Sequence, residues 1–256
     1  MLEVIHEKNY LILRLNRPDV KNAMNSELIE KLTQAFQVEA KKTSVRLVQI
    51  EAAGEVFSAG ADLNYMQSMV SASREKNLQE AEKLRNLFQS IYDCAVPVLC
   101  LVQGSAFGGA LGLMAASDFV IADEKAKFCF SEVKLGLAPA VISEFVLKKS
   151  VRSHVIPWML SGGVFDSKQA HLAGLVHMIA ASGIETAAQD FKDAILGSGP
   201  QAVATTKALL RDLDALEPKQ IAKRTTNLIA DLRVSPEGQE GIKSFLEKRK
   251  PNWVSK

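Results

Sequence analysis

PVLCLVQGSAFGGALGLMAASD, residues Pro97 to Asp118, holds three structural cues in a row. Val98 to Val102 is apolar and β-rich, and Pro97 and Gly104 bound it, so it reads as a buried strand. Gly104, Gly108 and Gly109 then crowd a tight turn. From Gly109 onward the residues are small and apolar (Ala110, Leu111, Gly112, Leu113, Met114, Ala115, Ala116), which suits a closely packed helix. A strand, a glycine turn and a helix leave backbone N–H groups without partners at one end of the helix. The helix dipole adds partial positive charge there. Phosphate, carboxylate or a developing oxyanion fits such a place.

The same unit occurs earlier. Val45 to Ile50 reads as a strand, and Gly54 to Asp62 as a loop ending Phe57-Ser58-Ala59-Gly60-Ala61-Asp62. If the two strands are parallel neighbours, both turns lie at one sheet edge, where open α/β sheets bind ligands. One N–H from each turn then converges on a single oxygen. Two such donors form an oxyanion hole, worth about 3–4 kcal/mol per donor in the transition state. Tight helix–strand packing is the other reading of these glycines, and spacing alone leaves both open.

Around these units the chain alternates strand and helix, which argues an α/β fold. Residues 2–7 and 10–15 read as strands joined at Lys8-Asn9. Asn16 to Ala23 is a loop, and a helix capped by Ser26 runs to about Lys42. Residues 74–93 are helical and strongly charged. Phe119 to Ile121 is a short strand, and Phe128 to Val133 reads as extended. Helices follow at 141–149, 152–160, 167–173, 184–196, 200–214, 217–233 and 236–249, so strands dominate the first half and helices the second.

Composition narrows the function. The 256 residues suffice for a sizeable core, and 47% hydrophobic with 23% charged residues is ordinary for a globular protein. A formal net charge of +2 gives no support to nucleic-acid or membrane binding. No signal peptide and no membrane span are visible. Cys94, Cys100 and Cys129 lack metal-type spacing and read as reduced, buried thiols, so a cytoplasmic location is expected. There is no GxxxxGK[ST], no GxGxxG and no GxSxG around Ser105. His6, His154, His171 and His177 show no ligand spacing and read as structural or exposed.

A carboxylate remains for proton chemistry. Glu132 stands in the apolar stretch Phe128-Cys129-Phe130-Ser131-Glu132-Val133. Held among apolar groups, it would work as acid or base near neutrality; pointing to water, it would be an ordinary strand-end residue. Asp62 and Asp118 read as capping or edge residues.

In order and spacing, five segments resemble the crotonase superfamily of enoyl-CoA hydratases and isomerases over essentially the whole chain. They are Asn16-Arg17-Pro18…Asn22-Ala23-Met24, then Phe57 to Leu63, then Pro97 to Gly109 with Asp118. Phe128…Glu132…Gly136…Pro139 and the tail Glu240 to Pro251 complete the set. The resemblance implies a spiral of ββα turns over residues 1–195. A helical trimerisation region over 196–256 would follow, giving a homotrimer or a hexamer of paired trimers. It implies an acyl-CoA thioester as substrate, with coenzyme A as part of that substrate and no separate cofactor or metal. Carried over, the oxyanion donors are the Ala61 and Gly109 N–H groups, and Glu132 is the catalytic acid–base. Lys21, Ala23, Ala59 and Ala61 would grip the coenzyme, and Lys248 would meet its phosphates.

One position departs from the family. Hydratases usually place a second glutamate one turn into the helix, where this chain has Gly112. Within the family the chain most resembles a bacterial subgroup of methylglutaconyl-CoA or carboxygeranoyl-CoA hydratases, of leucine and isoprenoid breakdown. The expected activity is therefore hydration of a short or branched α,β-unsaturated acyl-CoA. The alternatives are a Δ3-Δ2 enoyl-CoA isomerase using Glu132 alone, and a weakly active acyl-CoA-binding member. Glu144, an ordered water or a carboxylate of the substrate could stand in for the missing acid. Residues 64–80 and 137–147 are expected to shape the acyl pocket.

Overall fold

The computed structural model describes residues 1–181, 183–213 and 216–254. Its centre is a six-stranded sheet. The N-terminal strands β1 (Leu2–His6) and β2 (Leu11–Leu15) form the expected antiparallel hairpin. From β2 onward every pairing is parallel, through β3 (Val48–Ala52), β4 (Val98–Val102), β6 (Phe119–Asp123) and β9 (Met178–Ala180). A second sheet, of β5 (Ala106–Phe107), β7 (Lys127–Cys129) and β8 (Val164–Asp166), stacks the short strands that follow the turns.

The helices α1 (Ser26–Gln37), α3 (Arg74–Tyr92), α4 (Ala110–Ala116) and α5 (Ala140–Lys149) pack on the main core. Between α1 and α3 lies α2 (Leu63–Val70) in sequence, which the charge pattern does not disclose because Leu63 and Val70 both face solvent. The helices α6 (Arg152–Ser161), α7 (Ser167–Leu172) and α8 (Ile184–Gly197) complete the layers. The chain then runs through α9 (Pro200–Leu213), α10 (Pro218–Val234) and α11 (Pro236–Leu246). Lys207 and Arg211 on α9 donate to the carbonyls of Val96 and Tyr92, which ties that helix to the core. A division at 195/196 would fall inside the last turn of α8.

The parallel β3–β4 pair carries the argument from sequence to site, with Val48 opposite Val98 and Ile50 opposite Cys100. Val98 to Val102 is fully enclosed, as its apolar run requires.

Several local expectations are corrected. Asn25, not Ser26, caps α1, because its side chain reaches the Leu28 N–H. That helix stops at Gln37, and Glu39–Lys41 forms a separate 3-10 turn. The strand expected at 45–50 is β3, two to three residues later. Phe128 to Val133 is not extended throughout. β7 ends at Cys129, and Ser131–Leu135 winds into a 3-10 turn closed by Gly136 at φ +73°. The second half also contains strands, β8 and β9. The last helix ends at Leu246, short of 249.

All three cysteines are free and buried. Among the described residues, no helix is long and apolar enough to cross a membrane.

Candidate active site

The two turns are bonded directly to each other. Ser58 N–H donates to the Ser105 carbonyl at 3.2 Å, and Phe107 N–H to the Ser58 carbonyl at 3.0 Å. Closeness of this kind excludes a side chain at Gly60, whose φ is +94° and whose Cβ would sit 2.9 Å from the Phe107 carbonyl oxygen.

A third loop braces the first turn. Met24 N–H donates to the Gly60 carbonyl at 2.7 Å, and Asp62 N–H to the Met24 carbonyl at 2.9 Å. Ala59 N–H donates to the Lys21 carbonyl at 2.9 Å. Buried Asn22 anchors this loop through the carbonyls of Ala53 and Val56. Arg17 pairs with Asp62 at 2.8 Å and also holds the Ala23 carbonyl. Asp62 caps α2 by accepting from Asn64 and Tyr65 N–H groups. Burial alone would raise its pKa, but Arg17 and these N–H groups outweigh it and hold the carboxyl below its usual value.

Ala61 and Gly109 border one cavity of about 210 Å³. Neither of their N–H groups has an acceptor among the described residues. Met24, Ile29, Leu84, Val141 and Ile142 form its apolar walls, together with the 138–140 segment. The lining thus draws on both stretches expected to shape the pocket.

Glu132 opens into this cavity from the 3-10 turn. A Cβ on Gly108 would lie 3.6 Å from Glu132 Oε1, so the carboxylate stands beside the turn that carries Gly109. Its Oε2 is buried with no hydrogen-bond partner. Burial pushes the carboxyl pKa up, opposed only by its own backbone N–H.

The position where a second acid was sought is closed. Gly112 lies on α4, and a Cβ there would overlap the buried Phe88 ring of α3. Glu144 does not replace it. It lies outside the cavity lining, bonded to Arg85 and Lys148, and Lys148 in first place holds its carboxyl below the usual value.

The structure therefore brings together Ala61, Gly109 and Glu132, with Lys21, Ala23 and Ala59 on the adjoining loops. Lys248 is not among them. It is exposed in the turn after α11, with φ +52°. Asp118 binds Val98 N–H and Lys207, which makes it the strand-edge residue expected. His6 and His154 are exposed, and His177 is structural: its Nδ1 accepts from Val120 N–H at 3.0 Å, and burial lowers its pKa to about 4. Sequence reasoning missed Tyr65, which lines the cavity, and Phe88. Only the proximity of α3 to α2 and α4 reveals them.

Comparison with known proteins places the chain in a family. Residues 6–256 match the Enoyl-CoA hydratase/isomerase family. An enoyl-CoA hydratase of solved structure from Shewanella pealeana is 39% identical with a TM-score of 0.94, covering 98% of this chain and 95% of its own. The 2,3-dehydroadipyl-CoA hydratase of Escherichia coli is 29% identical over 256 residues, 98% of each chain. The trans-2-decenoyl-[acyl-carrier-protein] isomerase of Streptococcus mutans is 25% identical over 247 residues, covering 95% of this chain and 94% of its own. This chain belongs to the enoyl-CoA hydratase/isomerase family.

Proposed function

We propose that the protein hydrates the double bond of a short or branched α,β-unsaturated acyl-CoA, or runs the reverse dehydration, through a thioester enolate. The observation that carries this reading is the half-buried Glu132, whose enclosed Oε2 has no hydrogen-bond partner, in one apolar cavity with the free N–H groups of Ala61 and Gly109. The thioester oxygen accepts both N–H bonds, which strengthen as negative charge develops on it. Glu132 takes a proton from water as the water oxygen bonds to Cβ. The same carboxyl then delivers that proton to Cα on the same face. One carboxyl suffices, because it is a base in the first half and an acid in the second.

Coenzyme A enters as part of the substrate. Lys21, Ala23, Ala59 and Ala61 grip it, largely through backbone. Lys248 meets its phosphates across a subunit boundary in a homotrimer or hexamer. The helices after residue 196 form the assembly surface, a role that suits the exposed Val234, Phe245 and Leu246.

A second reading has a specific observation behind it. With Phe88 against Gly112, Glu132 is the single carboxylate of the cavity lining among the described residues. Δ3-Δ2 isomerisation needs only one carboxylate, to move a proton between the γ and α carbons. Absorbance of the conjugated thioester separates the two. Crotonyl-CoA or 3-methylglutaconyl-CoA loses it on hydration, whereas a 3-enoyl-CoA gains it on isomerisation. Silence on all three, with tight acyl-CoA binding, would overturn both and leave a binding protein.

A further inference from the structure

We propose that Tyr65 positions the nucleophilic water, its phenol oxygen accepting one hydrogen bond from the water that Glu132 deprotonates. This rests on the hydration reading. Glu132 and Tyr65 are the only polar side chains in the cavity lining among the described residues. The Tyr65 proton is already committed, since the hydroxyl donates to Glu80 Oε2 at 3.2 Å. Glu80 is buried on α3, where Lys76 and Lys83 approach it at 2.9 and 3.0 Å. Burial opposes its charge, but the lysines prevail and hold the carboxyl at about 2. The acceptor behind Tyr65 therefore stays ionised across the working range. With its proton turned towards Glu80, the phenol oxygen has only lone pairs left to offer a water.

A water between the two groups gives one hydrogen to Glu132 and the other to Tyr65, leaving an oxygen lone pair for Cβ. That supplies the second contact to water without an acid at Gly112. Tyr65 stays protonated throughout: burial first, then Glu80, pushes its pKa up to about 12. The step balances. The water oxygen bonds to Cβ, the π pair moves to the enolate, one water proton passes to Glu132, and Glu132 returns it to Cα. The same cap fixes Tyr65 and the oxyanion turn, because Asp62 follows Ala61 directly and accepts the Tyr65 N–H at 3.3 Å.

The test is Tyr65→Phe, which removes one oxygen. Two rates are read on the full-length protein: hydration of crotonyl-CoA, and exchange of the α protons of butyryl-CoA in D2O. Exchange uses the oxyanion donors and Glu132 but no nucleophilic water, so it also reports that the site is intact. Hydration kcat is expected to fall about tenfold or more, the loss of one hydrogen bond to the reacting water. KM and exchange should stay within about twofold. Glu80→Gln, which weakens the hold on the phenol proton, should slow hydration in the same selective way. Unchanged hydration in Tyr65→Phe, or an equal fall in both rates, would overturn the proposal. A wild-type protein that exchanges α protons yet adds no water would instead sink the hydration reading and this inference with it.

Discussion

Gly112→Ala is expected to destabilise the protein or leave it no more stable, although it replaces a helical glycine. In an open helix the change is worth about 1 kcal/mol in favour of alanine. Here the new Cβ would lie 2.6 and 2.8 Å from Phe88 Cε2 and Cε1, closer than carbon atoms pack. Phe88 cannot swing away freely. It is fully buried and packs edge-on against Phe145, with ring centroids 5.7 Å apart. Overpacking of this kind costs about 1–3 kcal/mol. The net loss is then between nothing and about 2 kcal/mol, or up to about 8 °C in Tm for a chain of this size. Thermal unfolding by circular dichroism measures it, in a cycle with Phe88→Leu. In the leucine background the ring is gone and the helix preference should win, so Gly112→Ala should raise Tm there. The sign change between backgrounds is the diagnostic, and it corresponds to a coupling of about 1–3 kcal/mol. A rise in Tm in the wild-type background would refute the claim that Phe88 closes this position. Gly112→Glu should fare worse than alanine, and it should not add a second acid to the cavity.

Glu132→Gln should lower turnover at least about a hundredfold while acyl-CoA affinity, read by calorimetry, stays. The same variant tests the raised carboxyl. Because the folded state takes this proton more readily than the unfolded chain, its contribution to stability is present at acid pH and is lost as pH rises through the folded pKa. Glu132→Gln should therefore be more stable than wild type at pH 8 and lose that advantage in acid, as Tm against pH will show. Asp62→Ala removes the α2 cap and leaves Arg17 unpaired, so stability should fall by at least about 1 kcal/mol from the cap alone. Glu144→Gln breaks surface pairs only and should leave turnover unchanged in the steady-state assay, at a cost of about 0.5 kcal/mol or less.

Much of this site was legible because local rules and the fold agree. Val98 to Val102 is a strand for the reasons its sequence suggests, and the two small-residue turns lie side by side because their strands are parallel neighbours. The apolar surroundings of Glu132 single it out, but they suggest an extended backbone that the chain does not have. Phe128 and Phe130 alternate as in a strand, but Gly136 in the left-handed region lets the chain wind instead. β8 and β9 have three residues each, too few to show a period. Phe88 against Gly112 and Tyr65 against Glu80 are contacts between helices, and neither leaves any pattern along the chain.

The departure at Gly112 need not weaken the rest of the site, because the two N–H donors are aimed by other bonds. In a trans peptide the carbonyl and the N–H point opposite ways. Met24 N–H holds the Gly60 carbonyl, so the Ala61 N–H of the same peptide faces away from Met24's backbone. Leu111 N–H holds the Gly108 carbonyl at 3.0 Å, which fixes the Gly109 N–H in the same manner. Each bond also polarises the peptide whose N–H it directs. Neither bond involves the side of α4 that meets Phe88. An acid at position 112 and an oxyanion hole at the head of the helix are therefore separable in physical terms. In this chain an aromatic ring fills the space beside Gly112, while the Ala61 and Gly109 N–H groups keep their aim.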